Sequence, residues 1–453
     1  MPDRLGETDA AVLREERPDA PALVGTVLVL DPGRGRRLDP GTVADHVVGR
    51  IAYVPRYRQR LRRAPAGLGT PVWVDDVRFD PGYHVRRTAV PRPGEPAQLR
   101  ELVGRIIARP LDRARPLWEA YVVDGLAGGA VAVVTKTHQV LLDEAHAVDL
   151  AQVLLDDRPV SPAAPPSSWS PAPEPSTGDL VASAVLGAVA HPLRLTALAR
   201  PAAGMARAAA GVVRGADHAA RAARGTRAAR GPLEAPPSPH RRFAAARTDL
   251  ADYQRVARQV AAGTPTVHDV VLTVLTGALR IWLQRRGTGA VPTAVLRAAV
   301  PVAVDRPDTV DSHVVDLPVA EPNPLLRLHH VAFQATPRTS VPARDLTELA
   351  GFAPPTLHGL GARVAARLGR RACDLVVTNV PGPQDPRFAA GARLRESYPV
   401  MPLRPGHAVA VGVTSYDGQV FHGLTGDWDA AADLDSLADA VPEALAELVE
   451  AAG

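Results

Sequence analysis

A proline- and serine-rich interruption just past the first third of the chain constrains the fold more than any other feature. Residues 158–178 read RPVSPAAPPSSWSPAPEPSTG, which is too polar and too often broken by proline to form regular structure. Strand-like and helix-like patterns alternate on both sides of it. At 453 residues the chain is about three times the usual length of one domain. The sequence therefore predicts two α/β units joined by a long connection.

The first unit is predicted over residues 1–158. Strand-like runs such as ALVGTVLVL (22–30) and AVAVVTKT (130–137) alternate there with a helical pattern, PAQLRELVGRIIARPL (96–111).

The second unit is predicted over residues 241–453. Thr266 and Asp269 are spaced as a capping box in front of a long apolar helical pattern. The run VAVGVTSYDGQVFHGLTGD predicts a β-hairpin that turns at Asp417 and Gly418. A closing helix comes after it, and we expect Pro442 to interrupt that helix.

The connecting segment, residues 159–240, becomes rich in alanine and arginine after the linker. Four of its arginines recur every seven residues, which keeps them near one face of a helix: Arg200, Arg207, Arg214 and Arg221. Two interpretations remain open. The segment is either a solvated connecting helix or a basic amphipathic helix that lies on an anionic membrane surface.

Composition narrows the class of protein. The net charge of +4 comes almost entirely from arginine, with Lys136 as the one lysine, and we expect no nucleic-acid partner. A single cysteine, Cys373, forms no intrachain disulfide and suits a reducing compartment, and we expect it to be buried. The N-terminal sequence shows no secretory signal, and the longest apolar run (180–190) is too short to span a bilayer. A cytoplasmic location is therefore predicted.

Residues 136–150, KTHQVLLDEAHAVDL, carry the candidate chemistry. His138 stands at the end of a predicted strand, and Asp143 lies five residues later. A neutral imidazole can take a proton from a hydroxyl, provided that neighbouring groups hold its orientation. Taken alone, a histidine at a strand end is more often structural than catalytic.

This stretch and its surroundings resemble the bacterial wax ester synthase/diacylglycerol acyltransferase family, within the superfamily of condensation domains and chloramphenicol acetyltransferase. The family motif His-His-x-x-x-Asp-Gly aligns with HQVLLDE, residues 138–144. LDRARPLWEAYVVDGL (111–126) and WVDDVRFDPGYHVRR (73–87) are similar to its Pro-Leu-Trp and Trp-x-x-Asp regions. HDVVLTVLTGALR, DLVVTNVPGPQDP (374–386) and the run from 398 onward resemble its C-terminal half.

The resemblance implies an α/β (α+β) fold of two chloramphenicol-acetyltransferase-like lobes, arranged as a pseudo-dimer around a central channel. It implies an O-acyltransferase that uses acyl-CoA as co-substrate and a diacylglycerol or a fatty alcohol as acceptor, giving triacylglycerol or wax ester. Neither a further cofactor nor a metal is expected. Beyond the cytoplasm, the inner face of the plasma membrane and the lipid-droplet surface are the candidate locations.

The resemblance also assigns the site. The catalytic positions are His138, Gln139 and Asp143. The substrate channel is assigned to Glu144, Pro116, Leu117, Trp118, His268, Asp269, Asn379 and Gly382.

The chain departs from the family motif at the position of the base. Gln139 stands where the family has its second histidine, and an amide cannot accept and relay a proton at neutral pH. Glu144 replaces a glycine and would put a bulky anion beside the thioester tunnel. A one-residue slip that made His138 the base would break the match of the next helix. His146 is the other candidate for a substitute base.

Two further motifs also differ. The family's Asn-Asp pair reads His268-Asp269, and its Gly-Asn motif corresponds to Asp311-Ser312. These departures leave two alternatives open. One is a catalytically degenerate member that binds acyl chains or lipid surfaces without efficient turnover. The other is an acyltransferase for a specialised-metabolite acceptor.

Overall fold

Two six-stranded sheets dominate the structure, which is a computed structural model. It describes residues 3–33, 36–142, 150–160, 169–190, 232–236, 238–260, 265–287, 295–303, 310–335 and 373–453. The α/β class predicted from the sequence is confirmed.

The helices and strands have the following bounds. The α-helices in the described residues are α1 (Glu7–Glu15), α2 (Pro40–Ile51), α3 (Pro81–His84), α4 (Pro96–Ala108), α5 (Leu150–Val153), α6 (Thr177–Ala190), α7 (Leu250–Gln259), α8 (Val267–Arg285), α9 (Pro324–Ala335) and α10 (Leu434–Ala452). The strands are β1 (Leu23–Asp31), β2 (Gln59–Arg62), β3 (Val72–Asp75), β4 (Val85–Ala89), β5 (Trp118–Asp124), β6 (Val131–His138), β7 (Arg241–Asp249), β8 (Leu296–Ala303), β9 (Val310–Leu317), β10 (Leu375–Val380), β11 (Phe388–Ala389), β12 (Ala392–Val400), β13 (Val409–Tyr416) and β14 (Gln419–Asp427).

The first sheet has the order β11-β12-β1-β6-β5-β4, and the second has the order β7-β14-β13-β10-β8-β9. In the first sheet β1 pairs antiparallel with β6, so that Leu23 lies opposite His138. Helices α1 and α2 pack on one face of that sheet and α4 packs on the other. The second sheet is covered on one face by α7, α8, α9 and α10. Each half of the chain thus builds a lobe of sheet and helices.

Strand β12 connects the two lobes. It comes from the second half of the chain, yet it pairs antiparallel with β1 in the first sheet, with Gly25 opposite Val400. It also crosses β14 so closely that a Cβ atom on Gly423 would lie 1.8 Å from the carbonyl oxygen of Pro399. Only glycine allows this approach. The two units predicted from the sequence, residues 1–158 and 241–453, do not account for this strand exchange. Their boundaries remain a prediction.

Most of the predicted elements are confirmed. Strands β1 and β6 and helix α4 lie where the patterns placed them, and the hairpin turns at Asp417 and Gly418, both with positive φ. Thr266 and Asp269 form the capping box of α8, with side-chain to backbone hydrogen bonds of 2.8 and 3.2 Å.

The predicted interruption at Pro442 is wrong, because α10 continues through it. The proline is exposed, and residues on both sides of it are buried in the core of the second lobe, including Val441 and Leu445. Burial of both halves of the helix offsets the hydrogen bond that proline removes.

The connecting segment is described only in part. Residues 169–176 have no regular structure, as predicted, and lie along the first lobe: the Ala172 N–H donates to Asp75 and Arg62 donates to the Pro175 carbonyl. The arginine-rich repeat lies outside the described residues. Where the chain is described, none of its helices is both long enough and apolar enough to cross a membrane.

Candidate active site

The motif begins where strand β6 ends. The last residue of the strand is His138, and a 3₁₀ turn over Gln139–Leu141 comes directly after it. The His138 N–H donates to the Leu117 carbonyl at 2.9 Å, and the Gln139 N–H donates to the Ala22 carbonyl at 3.0 Å. The motif backbone is therefore held between the start of β5 and the start of β1.

Both ring nitrogens of His138 are engaged inside the protein. Nδ1 accepts a hydrogen bond from the Val140 N–H at 3.2 Å, so Nε2 carries the proton of the neutral ring. Nε2 lies 3.2 Å from Oε2 of Glu16, in a geometry more bent than an ideal hydrogen bond. Both side chains are buried. His138 therefore presents no free lone pair to a substrate.

Glu16 is a buried carboxylate with three partners. Burial by itself would raise its pKa, but His138, the Ala22 N–H at 2.9 Å and the Arg113 guanidinium outweigh burial and lower the pKa to about 2. The carboxylate is ionised at neutral pH. Sequence reasoning missed Glu16. Its only signal was its place in ETDAAVLREE, the stretch near the N-terminus where the family resemblance begins, far from the motif.

Gln139 is buried in the 3₁₀ turn, at the position that the resemblance assigns to the base. Its amide offers donors and a weakly basic oxygen, so it can form hydrogen bonds there but cannot take up a proton at neutral pH. Neither of the first two positions of the motif therefore offers a free proton acceptor.

Pro116, Leu117 and Trp118 lie beside the motif strand. Trp118 is fully buried in β5, opposite Thr137 of β6, and its indole N–H donates to the Tyr57 carbonyl at 2.7 Å. His84 stacks on the indole with ring centroids 4.7 Å apart and donates through Nδ1 to the Trp118 carbonyl at 2.8 Å. Burial lowers the pKa of His84. These contacts fix the start of strand β5 beside the motif.

A buried ion pair lies next to the motif on the same two strands. Lys136, the one lysine in the chain, contacts Glu119 at 3.2 Å, and Glu119 also accepts from Tyr121 at 2.8 Å and pairs with Arg86 at 3.0 Å. Burial lowers the pKa of Lys136, while Glu119 opposes that shift. The pair ties β5 to β6 just before His138.

A cavity of about 50 Å³ lies where the two lobes meet. Its lining comes from strands β1, β10, β12 and β13, from helix α5 and from the loops after α5 and β10: Thr26, Leu28, Ala151, Leu155, Val380, Pro381, Gly382, Pro383, Leu394, Ser397, Pro399, Thr414, Ser415 and Tyr416. At Gly382 a Cβ atom would lie 2.2 Å from the Ser415 carbonyl oxygen, so the loop after β10 needs glycine there. The loop is thereby fixed against β13.

His268 and Asn379 contact each other in the second lobe. His268 lies in the first turn of α8, and its Nδ1 is 3.1 Å from Nδ2 of Asn379, the residue before Val380 at the end of β10. Burial lowers the pKa of His268, although the neighbouring carboxylate of Asp269 opposes the shift. Asp269 itself is held in the capping box of α8.

Several predicted site residues lie outside the described residues, namely Asp143, Glu144 and His146. Asp311 and Ser312 lie in strand β9. Cys373 is buried, as predicted. Across the described parts of the chain, no three histidine, cysteine or acidic side chains are grouped so that they could hold a metal ion.

Two lobes of mixed sheet, joined by an exchanged strand, define a fold of the condensation-domain type. The fold is also that of the first condensation domain of the CDA synthetase (TM-score 0.54, 14% identity, covering 100% of this chain and 97% of that one). It matches the wax ester synthase/diacylglycerol acyltransferase from Marinobacter aquaeolei VT8 more closely, with a TM-score of 0.70, 26% identity and full coverage of both chains.

The sequence comparisons agree with the fold. The wax ester synthase/diacylglycerol acyltransferase catalytic domain matches residues 5–271, and the C-terminal domain of the same family matches residues 309–449. The chain is 33% identical to the "probable diacylglycerol O-acyltransferase" tgs1 of Mycobacterium tuberculosis H37Rv, over 99% of this chain and 96% of that protein. The chain belongs to the wax ester synthase/diacylglycerol acyltransferase family.

Proposed function

We propose that the chain transfers the acyl group of acyl-CoA to the hydroxyl of a diacylglycerol or a fatty alcohol, forming triacylglycerol or wax ester. The observation that carries this proposal is similarity over nearly the whole chain to relatives named as diacylglycerol O-acyltransferases. The packing of Leu117 and Trp118 against the motif strand supports it, because the scaffold around the motif is in place.

The reaction needs four events. The acceptor hydroxyl oxygen attacks the thioester carbonyl carbon, its proton is removed, the carbon–sulfur bond breaks and the leaving thiolate is protonated to CoA. Two lobes that hold the thioester and the hydroxyl together contribute proximity and exclude water. The only co-substrate that we expect is acyl-CoA, without a metal.

We further propose that the motif itself is impaired as a base. Loss of a general base typically costs about 10² to 10⁴ in rate. Gln139 cannot accept a proton, and the nitrogens of His138 are taken by Val140 and Glu16. This observation favours a second candidate function, a member that binds acyl chains without efficient turnover.

The test is an assay of purified full-length protein with acyl-CoA and a panel of acceptors: a diacylglycerol, a fatty alcohol and an amine. Release of the CoA thiol reports transfer, and mass spectrometry identifies the product. Ester formation with the first two acceptors supports the proposal. Saturable binding of acyl-CoA without thiol release supports the binding function instead, and transfer to the amine alone supports a specialised acceptor.

The location is inferred from the substrates and is also a proposal. We propose a cytoplasmic protein that attaches peripherally to the plasma membrane or to lipid droplets through its arginine-rich segment, residues 194–230. Each arginine near an anionic surface contributes up to about 1 kcal/mol. Flotation with anionic and neutral liposomes, at low and high salt, tests the attachment, and equal recovery on both would contradict it.

A further inference from the structure

Gln139 carries a buried side-chain amide that has no hydrogen-bond partner in the described parts of the chain. The residue is 3% exposed, and neither the oxygen nor the nitrogen of its amide meets a donor or an acceptor there. The amide still reaches solvent space, whereas the Thr137 hydroxyl two residues earlier is fully enclosed. Burying a polar group without a partner costs free energy, so a ligand that supplies the missing hydrogen bond is favoured at this position.

The backbone of Gln139, in contrast, is fully bonded. Its N–H donates to the Ala22 carbonyl at 3.0 Å, and its carbonyl accepts from the Leu142 N–H at 3.1 Å. The Ala22 N–H in turn donates to the Glu16 carboxylate at 2.9 Å. The main chain thus holds the residue in place, and only the side-chain amide is left to bind another molecule. A group that is positioned before its ligand arrives loses less entropy on binding.

The register of the first sheet shows which way Gln139 faces. The bond from Gln139 to Ala22 extends the pairing of β1 with β6 by one pair. Directly opposite residues share a face, as do residues two apart on one strand, so Gln139 lies on the same face as Val24. On that face Val24 packs against three residues from the second half of the chain: Met401, Leu403 and Ala410. The amide therefore lies at the junction of the two lobes.

We propose that Gln139 is the binding group for the hydroxyl of the acceptor, with its amide oxygen accepting the hydroxyl hydrogen. The resemblance assigns this position to the base, which is the group that meets that hydroxyl. An amide oxygen can hold a hydroxyl in this way without taking its proton. The inference rests on the proposed function, because it names the contact by which the proposed alcohol acceptor is recognised. It applies with or without efficient turnover.

Recognition by the amide predicts a preference between two ligands that have the same hydrocarbon chain. An alcohol supplies the hydrogen that the amide oxygen accepts. The methyl ether of that alcohol has no such hydrogen and leaves the amide oxygen unpaired. A single neutral hydrogen bond changes the affinity by about 10-fold.

The test measures binding to the purified full-length protein by isothermal titration calorimetry, with 1-decanol and its methyl ether as probes. We expect the parent to bind 1-decanol about 10-fold more tightly than the ether. Gln139→Met keeps the length of the side chain without its amide, and it should bind both probes with nearly equal affinity. Gln254→Met, exposed on α7, is the matched control and should keep the preference of the parent.

Two further measurements separate recognition from packing. Because no described protein group binds the amide, the melting temperature of Gln139→Met should be no lower than that of the parent. A lower melting temperature or a failure to fold would show a structural role and would overturn the inference. Gln139→His returns a hydrogen-bond acceptor to the position and should keep the preference for 1-decanol.

The outcomes for the inference and for the proposed function are distinguishable. A parent without a preference for the alcohol overturns the inference, and so does a preference that survives in Gln139→Met. If acyl transfer is observed in either case, the proposed function stands. A preference that Gln139→Met abolishes, in a parent that transfers no acyl group to any acceptor, supports the inference and overturns the proposed function.

Discussion

His138 and Glu16 meet through Nε2 and Oε2 at 3.2 Å, which joins the end of strand β6 to the residue after helix α1. The contact is buried on both sides, and Arg113 completes it from the loop before β5. The contact therefore anchors the first histidine of the motif against a buried carboxylate.

Glu16→Gln should reduce the unfolding free energy at neutral pH by about 3 kcal/mol, because the carboxylate has a pKa of about 2 in the folded protein and 4.5 as its ordinary value. A lowered carboxylate pKa contributes stability that is complete above about pH 4.5 and is lost as the pH falls toward 2. The difference between variant and parent should therefore shrink over that window in urea titrations. Glu15→Gln, which is exposed on α1, is the control and should change little.

Breaking the buried ion pair between Lys136 and Glu119 should reduce the unfolding free energy more than breaking an exposed ion pair. Lys136→Met or Glu119→Gln should each reduce the unfolding free energy by about 3 to 5 kcal/mol, because each substitution leaves a buried charged group without its partner. The double variant should lose less than the two losses added together. Glu101→Gln, from the exposed pair with Arg105, should lose at most about 1 kcal/mol. Additive losses would show that the pair is not coupled.

His422 should make the second lobe sensitive to acid. It is fully buried beside Tyr253 and Thr248, and burial lowers its pKa to about 3. As the pH falls from about 6.5 toward 3, the unfolded chain binds a proton that the folded protein excludes, which costs up to about 1.4 kcal/mol per pH unit. His422→Gln should flatten this dependence in unfolding experiments. Equal slopes in variant and parent would contradict the assignment.

Gly423→Ala should disrupt the contact between the lobes. The added methyl group would lie 1.8 Å from the Pro399 carbonyl oxygen, a backbone atom that cannot move without shifting β12. We expect a loss of about 3 kcal/mol or more in unfolding free energy. Gly178→Ala is the matched control, because its nearest neighbour would be 3.6 Å away. Soluble Gly423→Ala protein with the parent's melting temperature would disprove the close crossing.

Gln139→His should raise the rate of acyl transfer, because it places a proton acceptor in the motif turn. The gain should be partial, because the family resemblance predicts that Glu144 narrows the thioester approach. Adding Glu144→Gly should therefore raise the rate by more than the product of the two single effects. Release of CoA thiol measures each rate. Gln139→Asn, which adds no base, serves as the control and should show no gain.

Local patterns predicted the local structure well. The alternating run ending at His138 became β6, and the spacing of Thr266 and Asp269 became the cap of α8, because neighbouring residues determine both. Pro442 shows the limit of such patterns: its helix is held by burial on both sides of the proline, which no short window of sequence contains.

The candidate site also combines features set by local sequence with features set by long-range contacts. The motif and its departure at Gln139 could be read directly from the sequence through the family resemblance. Glu16, Arg113 and Glu119 could not, because their importance comes from three-dimensional contacts between segments far apart in the chain. The pairing of His268 with Asn379 was also invisible, although the resemblance assigns each residue to the channel.

Because strand β12 from the second half of the chain pairs with β1 in the first sheet, the order in which the chain is synthesised affects its folding. When the ribosome has released the whole first half of the chain, β1 still lacks its neighbour β12, so one edge of the first sheet remains open. An open edge of apolar strand readily pairs with other chains. We therefore expect the nascent protein to stay prone to aggregation until residue 400 has emerged, because the first half of the chain lacks two strands of its own sheet. Expressing residues 1–240 alone should yield insoluble protein, and co-expressing residues 241–453 should restore some solubility.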